Sequence, residues 1–270
     1  MNFQNKTVLI TGGASGIGKI MARKSLERGC KSLVLWDLNL EALETVSKEF
    51  SSLGGSVDIY KVDVSKGKEI TEAAKQVLDK HGVVDVLINN AGVVFKGYFH
   101  ENTALQIEQS LWVNSTGPML IAREFLGSMM AQNSGSICNI ASSAGLISNP
   151  KMAIYAASKW ALTGWSDSLR LEMEELKKKV YITTIMPFFI STGMFDGVKS
   201  KVLPILDPEK TAEKIMQAIE KHKGLYAIPL PYWFIRLTQG ILPDKIYNWV
   251  MRDVFGIYDT MNGFVGRTKK

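Results

Sequence analysis

Tyr155 and Lys159 stand four residues apart in the run Tyr155-Ala-Ala-Ser-Lys159, and Ser142 lies thirteen residues upstream of the tyrosine. On a helix, positions i and i+4 share a face, so the phenol hydroxyl and the ammonium can act at one point. A phenol titrates near ~10 in water. A cation close by favours the phenolate and lowers that value, which makes a tyrosine usable as a general acid or base near neutral pH. A Tyr and a Lys at this spacing also fit an ordinary surface helix, so the meaning of the pair depends on what the rest of the chain places around it.

A second group of residues is suited to holding phosphate. The apolar run Thr7–Thr11 leads into Gly12-Gly13-Ala14-Ser15-Gly16-Ile17-Gly18, and an amphipathic stretch follows to residue 28. Glycines let the backbone approach a pyrophosphate, and free N–H groups at a helix N-terminus attract it; a plain tight turn is the alternative. The spacing Gly12-x-x-x-Gly16-x-Gly18 differs from the common GxGxxG. Asp37 closes the next apolar run, nineteen residues after Gly18. A carboxylate there hydrogen-bonds both ribose hydroxyls of a dinucleotide and repels a 2′-phosphate. No Arg or Lys occurs between Gly12 and Gly18 or directly after Asp37, which favours NAD over NADP. Asp37 could instead serve as a helix N-terminal charge, although Asn39 is the better cap candidate.

These groups need a scaffold. Apolar runs alternate with segments of helical period: strands are expected at 7–11, 31–36, 57–62, 84–88, 135–140, 180–186 and 225–230, and helices at 17–28, 40–53, 66–81, 103–132, 152–179 and 207–222. Gly54-Gly55 stops the second helix, and the 103–132 helix has to tolerate Gly117-Pro118. The strands are near-continuous apolar runs, as expected where both sheet faces are covered. The chain has no compositional break, repeat or low-complexity segment. This predicts a single α/β domain over 1–270: a doubly wound parallel sheet of Rossmann type, seven strands with helices on both faces, then a C-terminal aromatic amphipathic extension.

With Thr11–Gly18 in the form TGGASGIG, Asn89-Asn90-Ala91-Gly92, Asn114, Ser142, Tyr155 and Lys159 in this order, the chain resembles the short-chain dehydrogenase/reductase family from about residue 7 to 192. The resemblance implies that Tyr155 is the general acid/base on the substrate oxygen. It implies that Lys159 lowers the Tyr155 pKa and holds the nicotinamide ribose, and that Ser142 orients the substrate oxygen. Asn114 then supports a water relay to Lys159, unless it is a satisfied helix-interior amide. Cofactor contacts are implied for Gly12, Ser15, Gly16, Ile17 and Gly18, for Asp37, and for Asp63 and Val64 beside the adenine. They are also implied for Asn89, Ala91 and Gly92, with Asn89 open to a wholly structural role, and for Pro187, Ile190 and Thr192. The family usually carries a glycine after Pro187; here Phe188 replaces it, narrowing the pocket or forming part of its apolar wall. The segments around Trp36-Asp37 and Thr192-Gly193-Met194-Phe195, with the tail, resemble the branch that holds retinol dehydrogenases and lipid-associated hydroxysteroid dehydrogenases.

Composition is that of an ordinary globular enzyme: 270 residues, 46% hydrophobic, 21% charged, formal net charge +6. The basic residues form no nucleic-acid-binding module; Lys177-Lys178-Lys179 reads as the basic last turn of a helix. Cys30 and Cys138 have neither metal spacing nor a framework partner and read as buried thiols, and His81, His100 and His222 are scattered, build no zinc site and are expected at the surface. With no signal-peptide pattern and no apolar run of ~20 residues, a cytoplasmic location is expected. Residues 193–223 are expected to form a substrate lid and helix, with Gly193 and Gly197 as flexible points. The tail 231–270, rich in Trp and Tyr, packs on the core or a partner subunit, walls an apolar pocket, or rests peripherally on a membrane. The expected activity is NAD-dependent hydride transfer to or from a bulky apolar alcohol, ketone or aldehyde, in a homodimer or homotetramer. An epimerase-like enzyme using the same Tyr–Lys pair, or a non-catalytic NAD-binding protein, are the alternatives.

Overall fold

The computed structural model describes residues 1–51, 56–201 and 203–266. At its centre is a seven-stranded parallel sheet in the order β3-β2-β1-β4-β5-β6-β7. The strands are β1 (Thr7–Thr11), β2 (Ser32–Asp37), β3 (Ser56–Lys61), β4 (Val86–Asn89), β5 (Gly135–Ile140), β6 (Val180–Pro187) and β7 (Leu225–Ile228). The order reverses between β1 and β4, so the crevice at their carboxyl ends is the switch point where such sheets bind ligands.

Side chains alternate across a strand, and the core divides accordingly. Val8, Ile10, Leu33, Leu35, Val86 and Ile88 belong to one apolar cluster, and Leu9, Val34, Trp36 and Leu87 to another. Met21 of α1 (Gly16–Glu27), Phe50 of α2 (Leu40–Phe50) and Ile215 of α7 (Pro208–Glu220) cover the first face. Ile70 of α3 (Gly67–His81), Phe125 of α5 (Gly117–Ala131) and Leu169 of α6 (Ala153–Glu175) cover the second. Each such side chain contributes about 1.5–3 kcal/mol when fully buried. α7 is also tied to α1 by ion pairs, Arg28 to Glu213 at 2.6 Å and to Glu220 at 3.1 Å, and Lys24 to Glu213 at 3.1 Å.

Several expectations need adjustment. The 103–132 helix is two α segments, α4 (Ala104–Leu111) and α5, joined by a π turn at Trp112–Thr116 in which Gly117 N–H bonds to the Trp112 carbonyl. Pro118 has no N–H to give the Asn114 carbonyl four residues back, so the α ladder cannot run through unchanged. α6 ends at Glu175, and Lys177 takes a left-handed φ of 53° while Lys178 N–H closes on the Met173 carbonyl at 2.9 Å; the lysines therefore lie past the helix, not in its last turn. His100 is exposed, but His81 and His222 are half-buried: His81 bonds Asp58 at 2.8 Å and His222 stacks on Tyr181 at 3.6 Å. Cys30 and Cys138 are free and buried. The expected stop at Gly54-Gly55 lies outside the described residues.

The tail forms α8 (Tyr232–Ile241) and α9 (Asp244–Trp249), then turns that bring Met251, Ile257, Met261 and Phe264 into the first core cluster. Trp233, Leu237, Ile241 and Trp249 remain exposed. Among the described residues, no helix is long and apolar enough to cross a membrane.

Candidate active site

Ser142 ends the loop after β5 and caps a short turn, its Oγ accepting from Ala144 N–H at 3.1 Å. That turn lies hard against α6. A Cβ on Gly145 would fall 2.6 Å from Thr163 Oγ1 and 2.9 Å from the Lys159 carbonyl. Ser142, on that turn, and Tyr155, on α6, line the same cavity, and the Ser142 hydroxyl acts to lower the Tyr155 pKa. Lys159, one turn further along α6, donates to the Ile140 carbonyl at 2.9 Å, with Nζ 5.7 Å from the centre of the Tyr155 ring. Tyr155 and Lys159 are each 4% exposed.

Burial decides their protonation. It pushes the Tyr155 phenol up to about 12, against a smaller opposing effect of the Ser142 hydrogen bond, and pulls the Lys159 ammonium down to about 7. The rise of the phenol comes from desolvation with Ser142 opposing it, and the fall of the ammonium from desolvation, so burial favours the neutral form of both groups.

Asn114 sits in the π turn, fully buried. Its Oδ1 accepts from Val93 N–H at 2.9 Å, while Nδ2 donates to the Val93 carbonyl at 2.9 Å and to Ser158 Oγ at 3.0 Å. The amide thus clamps the chain after β4 against α6. A Cβ on Gly92 would lie 3.3 Å from Asn114 Oδ1 and 3.9 Å from Lys159 Nζ, so the two side chains meet on one side of that glycine.

At the other end, the glycine turn is tied to β2 by Gly12 N–H to the Trp36 carbonyl at 2.7 Å. Asp37 is oriented by two backbone donors, Ala14 N–H at 3.1 Å and Asn39 N–H at 3.1 Å. Asn39 caps α2 through Ala42 N–H, which leaves Asp37 free of that duty. Ser15 precedes α1 without making a capping bond, and the first turn of α1 holds no acidic residue. Its N–H groups are thus left for a ligand anion. Asp63 is desolvated, but Ser65 through its hydroxyl and N–H, with Lys66, holds the carboxyl below its ordinary range.

One cavity of about 800 Å³ joins these parts. Gly12, Ser15, Gly16, Ile17, Asp37, Asp63, Val64, Ala91, Gly92, Ser142, Tyr155, Lys159, Pro187, Ile190 and Thr192 line it. Gly18, Asn89 and Asn114 do not. Gly18 leaves no room for a side chain: a Cβ there would lie 2.1 Å from the Gly12 carbonyl oxygen. Asn89 bonds Asn139 at 2.9 Å between β4 and β5, and Asn139 bonds Ser166 of α6 at 2.8 Å. Residues with no assigned role also line the cavity. Asn90 holds the glycine turn through the Thr11 and Gly12 carbonyls at 2.9 and 3.1 Å. Lys61, paired in register with Asp37, places a cation on the same rim. Strand pairing alone reveals Lys61; no local pattern marks it. Phe188 is a buried wall, edge-on to Phe189 at 4.7 Å, and Met194 and Phe195 continue it.

A parallel Rossmann sheet with a glycine turn, and a Ser, Tyr and Lys brought together in the same crevice, define an oxidoreductase of the nucleotide-dependent kind. The model of the short chain dehydrogenase family matches residues 6–203, and the chain belongs to that family. It is 37% identical to epidermal retinol dehydrogenase 2 of Mus musculus over 274 residues, covering 100% of this chain and 88% of that protein. It is 33% identical to estradiol 17-beta-dehydrogenase 11 of Pongo abelii over 258 residues, covering 95% and 86%. Among solved structures, a short chain dehydrogenase/reductase from Burkholderia phymatum in complex with NAD superposes with a TM-score of 0.80 at 28% identity, covering 89% of this chain and 95% of that one. The protein is an enzyme acting on CH–OH groups, of the retinol and hydroxysteroid dehydrogenase branch.

Proposed function

We propose that the protein transfers a hydride between NAD, in preference to NADP, and the hydroxyl or carbonyl carbon of a bulky apolar substrate of retinoid, steroid or lipid type. The carrying observation is the single cavity that runs from Asp37 to Ser142, Tyr155 and Lys159 and is then walled by Phe188, Ile190, Met194 and Phe195. The names of the relatives, a retinol and an estradiol dehydrogenase, support a ring-bearing apolar alcohol.

The residues present fit a dinucleotide. Uncapped N–H groups at α1 with Ser15 suit its pyrophosphate, and Asp37, fixed by two backbone donors, suits ribose hydroxyls and opposes a 2′-phosphate. Lys61 acts against that preference. Asp63 and Val64 would flank the adenine, and Ala91, Gly92, Pro187, Ile190 and Thr192 the nicotinamide half. When bound, the nicotinamide supplies or accepts the hydride.

The chain does the proton chemistry. In reduction, the neutral Tyr155 phenol donates its proton to the carbonyl oxygen; in oxidation, Tyr155 takes the proton from the alcohol. Ser142, which lines the cavity beside the phenol, orients the substrate oxygen. Lys159, its Nζ bonded to the Ile140 carbonyl beside Tyr155, holds the ribose, and Asn114 fixes the Val93 segment beside it. Residues 1–270 work as one catalytic unit. The exposed Trp233, Leu237 and Ile241, each four residues apart on α8, together with Trp249 of α9, rest peripherally on lipid from which the substrate arrives.

The test is turnover with NAD(H) and NADP(H) across retinol, steroid alcohols and long-chain alcohols, in wild type and Tyr155→Phe. The variant loses about 10²–10⁴-fold in rate and keeps its NADH affinity. Undiminished turnover by Tyr155→Phe refutes the proton role, and NADPH binding as tight as NADH refutes the role of Asp37.

A further inference from the structure

The lid after Thr192 is held at both ends. Its stems pair with each other: Ser191 N–H donates to the Leu206 carbonyl at 3.1 Å, and Leu206 N–H to the Phe189 carbonyl at 2.8 Å. Its tip is held by the tail, with Val265 N–H donating to the Asp196 carbonyl at 2.8 Å and Lys199 N–H to the Thr260 carbonyl at 3.4 Å. Between these bonds the backbones touch. A Cβ on Gly197 would fall 2.1 Å from the Gly263 carbonyl oxygen, and one on Gly263 2.6 Å from the Gly197 carbonyl oxygen. From the same stretch, further bonds reach the loop that leads into α6: Asn149 Nδ2 donates to Thr260 Oγ1 at 2.9 Å, and Lys151 Nζ to Asn262 Oδ1 at 2.7 Å. The tail thus bridges the lid and the start of the helix that carries Tyr155.

Aromatic rings make the same connection. Phe264, buried, lies 6.1 Å from Phe195. Phe195 in turn meets the Tyr155 ring edge-on at 6.0 Å and 79°, and Phe189 at 5.0 Å. Phe195 lines the cavity and Phe264 does not, so Phe264 acts on the cavity through Phe195.

We propose that residues 257–266 are a strap that sets the girth of the substrate chamber. Phe264 is a positioning residue that backs Phe195, and Phe195 determines specificity by limiting how wide a group can stand beside Tyr155. The chemistry of this inference rests on the dehydrogenase reading; the coupling of strap to lid rests on packing alone.

The experiment compares kcat/KM for a fused-ring secondary alcohol and a short linear secondary alcohol in wild type, Phe264→Leu and Phe264→Ala, alongside NADH affinity and hydrogen exchange across 193–201. Loss of the backing ring shifts the ratio toward the fused-ring alcohol by about 10-fold for Ala and less for Leu. NADH affinity stays within about 2-fold of wild type, because the dinucleotide end lies elsewhere. Lys199 amide exchange accelerates. Gly263→Ala, which keeps the Phe264 ring but pushes the strap off Gly197, accelerates the same amide and shifts the ratio the same way. An unchanged ratio, or unchanged exchange, in variants that still bind NADH overturns the proposal. If wild type binds NADH but oxidises neither alcohol, the dehydrogenase reading fails, and the exchange data still decide whether the strap holds the lid.

Discussion

Gly145→Ala tests whether the seat of the Ser142 turn on α6 sets the reaction geometry. The new methyl would sit 2.6 Å from Thr163 Oγ1 and 2.9 Å from the Lys159 carbonyl, short of ordinary contact at 3.4 Å by about 0.8 and 0.5 Å. Thr163 cannot retreat freely, because its hydroxyl donates to that same carbonyl at 2.8 Å. The turn must therefore lift from the helix by about 0.5–0.8 Å. A Ser142 hydroxyl moved by that amount from a substrate oxygen it would hold at ~2.7–2.8 Å passes the range in which such a bond is strong. A misplacement of 1 Å costs about 10²-fold in rate, so a lift of this size costs about 10-fold or more in kcat. Overpacking of this kind also lowers stability by about 1–3 kcal/mol, which a denaturant melt reads separately. The assay is a double-mutant cycle with Ser142→Ala, with NADH affinity as the control. If Gly145 acts through Ser142, the added loss in the Ser142→Ala background falls below about 2-fold. A full 10-fold loss in that background, or a Gly145→Ala enzyme with wild-type kcat, refutes the reasoning.

Two pH dependences follow from buried and paired groups. Because burial holds the Tyr155 phenol neutral up to about 12, carbonyl reduction stays level from about pH 6 to 9 while alcohol oxidation rises with pH over the same range; a reduction rate that falls within that window refutes the neutral phenol as donor. Glu213 on α7 is partly desolvated, which opposes ionisation, but Arg28, Lys24 and Gln217 hold its carboxyl at about 2. A pKa below its unfolded value of about 4.3 means stability that is complete above that value and lost as pH falls toward 2. Glu213→Gln therefore melts lower than wild type at pH 7 and the difference closes in acid; a difference in Tm independent of pH would show that the ion pairs do not hold α7 to α1.

Much of the architecture was legible because a covered parallel sheet writes itself as apolar runs between helical periods. The seven expected strands coincide with the seven in the sheet to within a few residues. What the sequence hid was the consequence of particular residues meeting in space. Pro118 reads as tolerated within a helix, yet its missing N–H falls at the carbonyl of Asn114 and accompanies the π turn there. Gly18 and Asn89 lie in motifs that the resemblance ties to the cofactor, with Asn89 open to a structural role, and a motif also includes the residues that pack it. Gly18 is required by the Gly12 carbonyl and Asn89 by Asn139 across the sheet. The burial of Tyr155, which raises its pKa, cannot be read from the spacing of Tyr155 and Lys159.

The two ends of the cavity are built differently, and this bears on how substrate range can change. The dinucleotide end is made of strand ends and first helix turns whose positions are fixed by main-chain bonds, such as Gly12 to Trp36 and Asp37 to Ala14, so few side chains there can vary without moving the sheet. The substrate end is made of rings from the end of β6, the lid and the tail, where Phe188, Phe189, Phe195 and Phe264 follow one another in series and Phe195 also meets Tyr155. Substitutions along that series alter girth without touching the bonds of Lys159 to Ile140 or of Asn114 to Val93. Sites that share no partner contribute nearly independently. Selectivity can therefore drift over a wide range of apolar alcohols while the proton-transfer group stays intact, and Phe195 is the residue at which the two requirements meet.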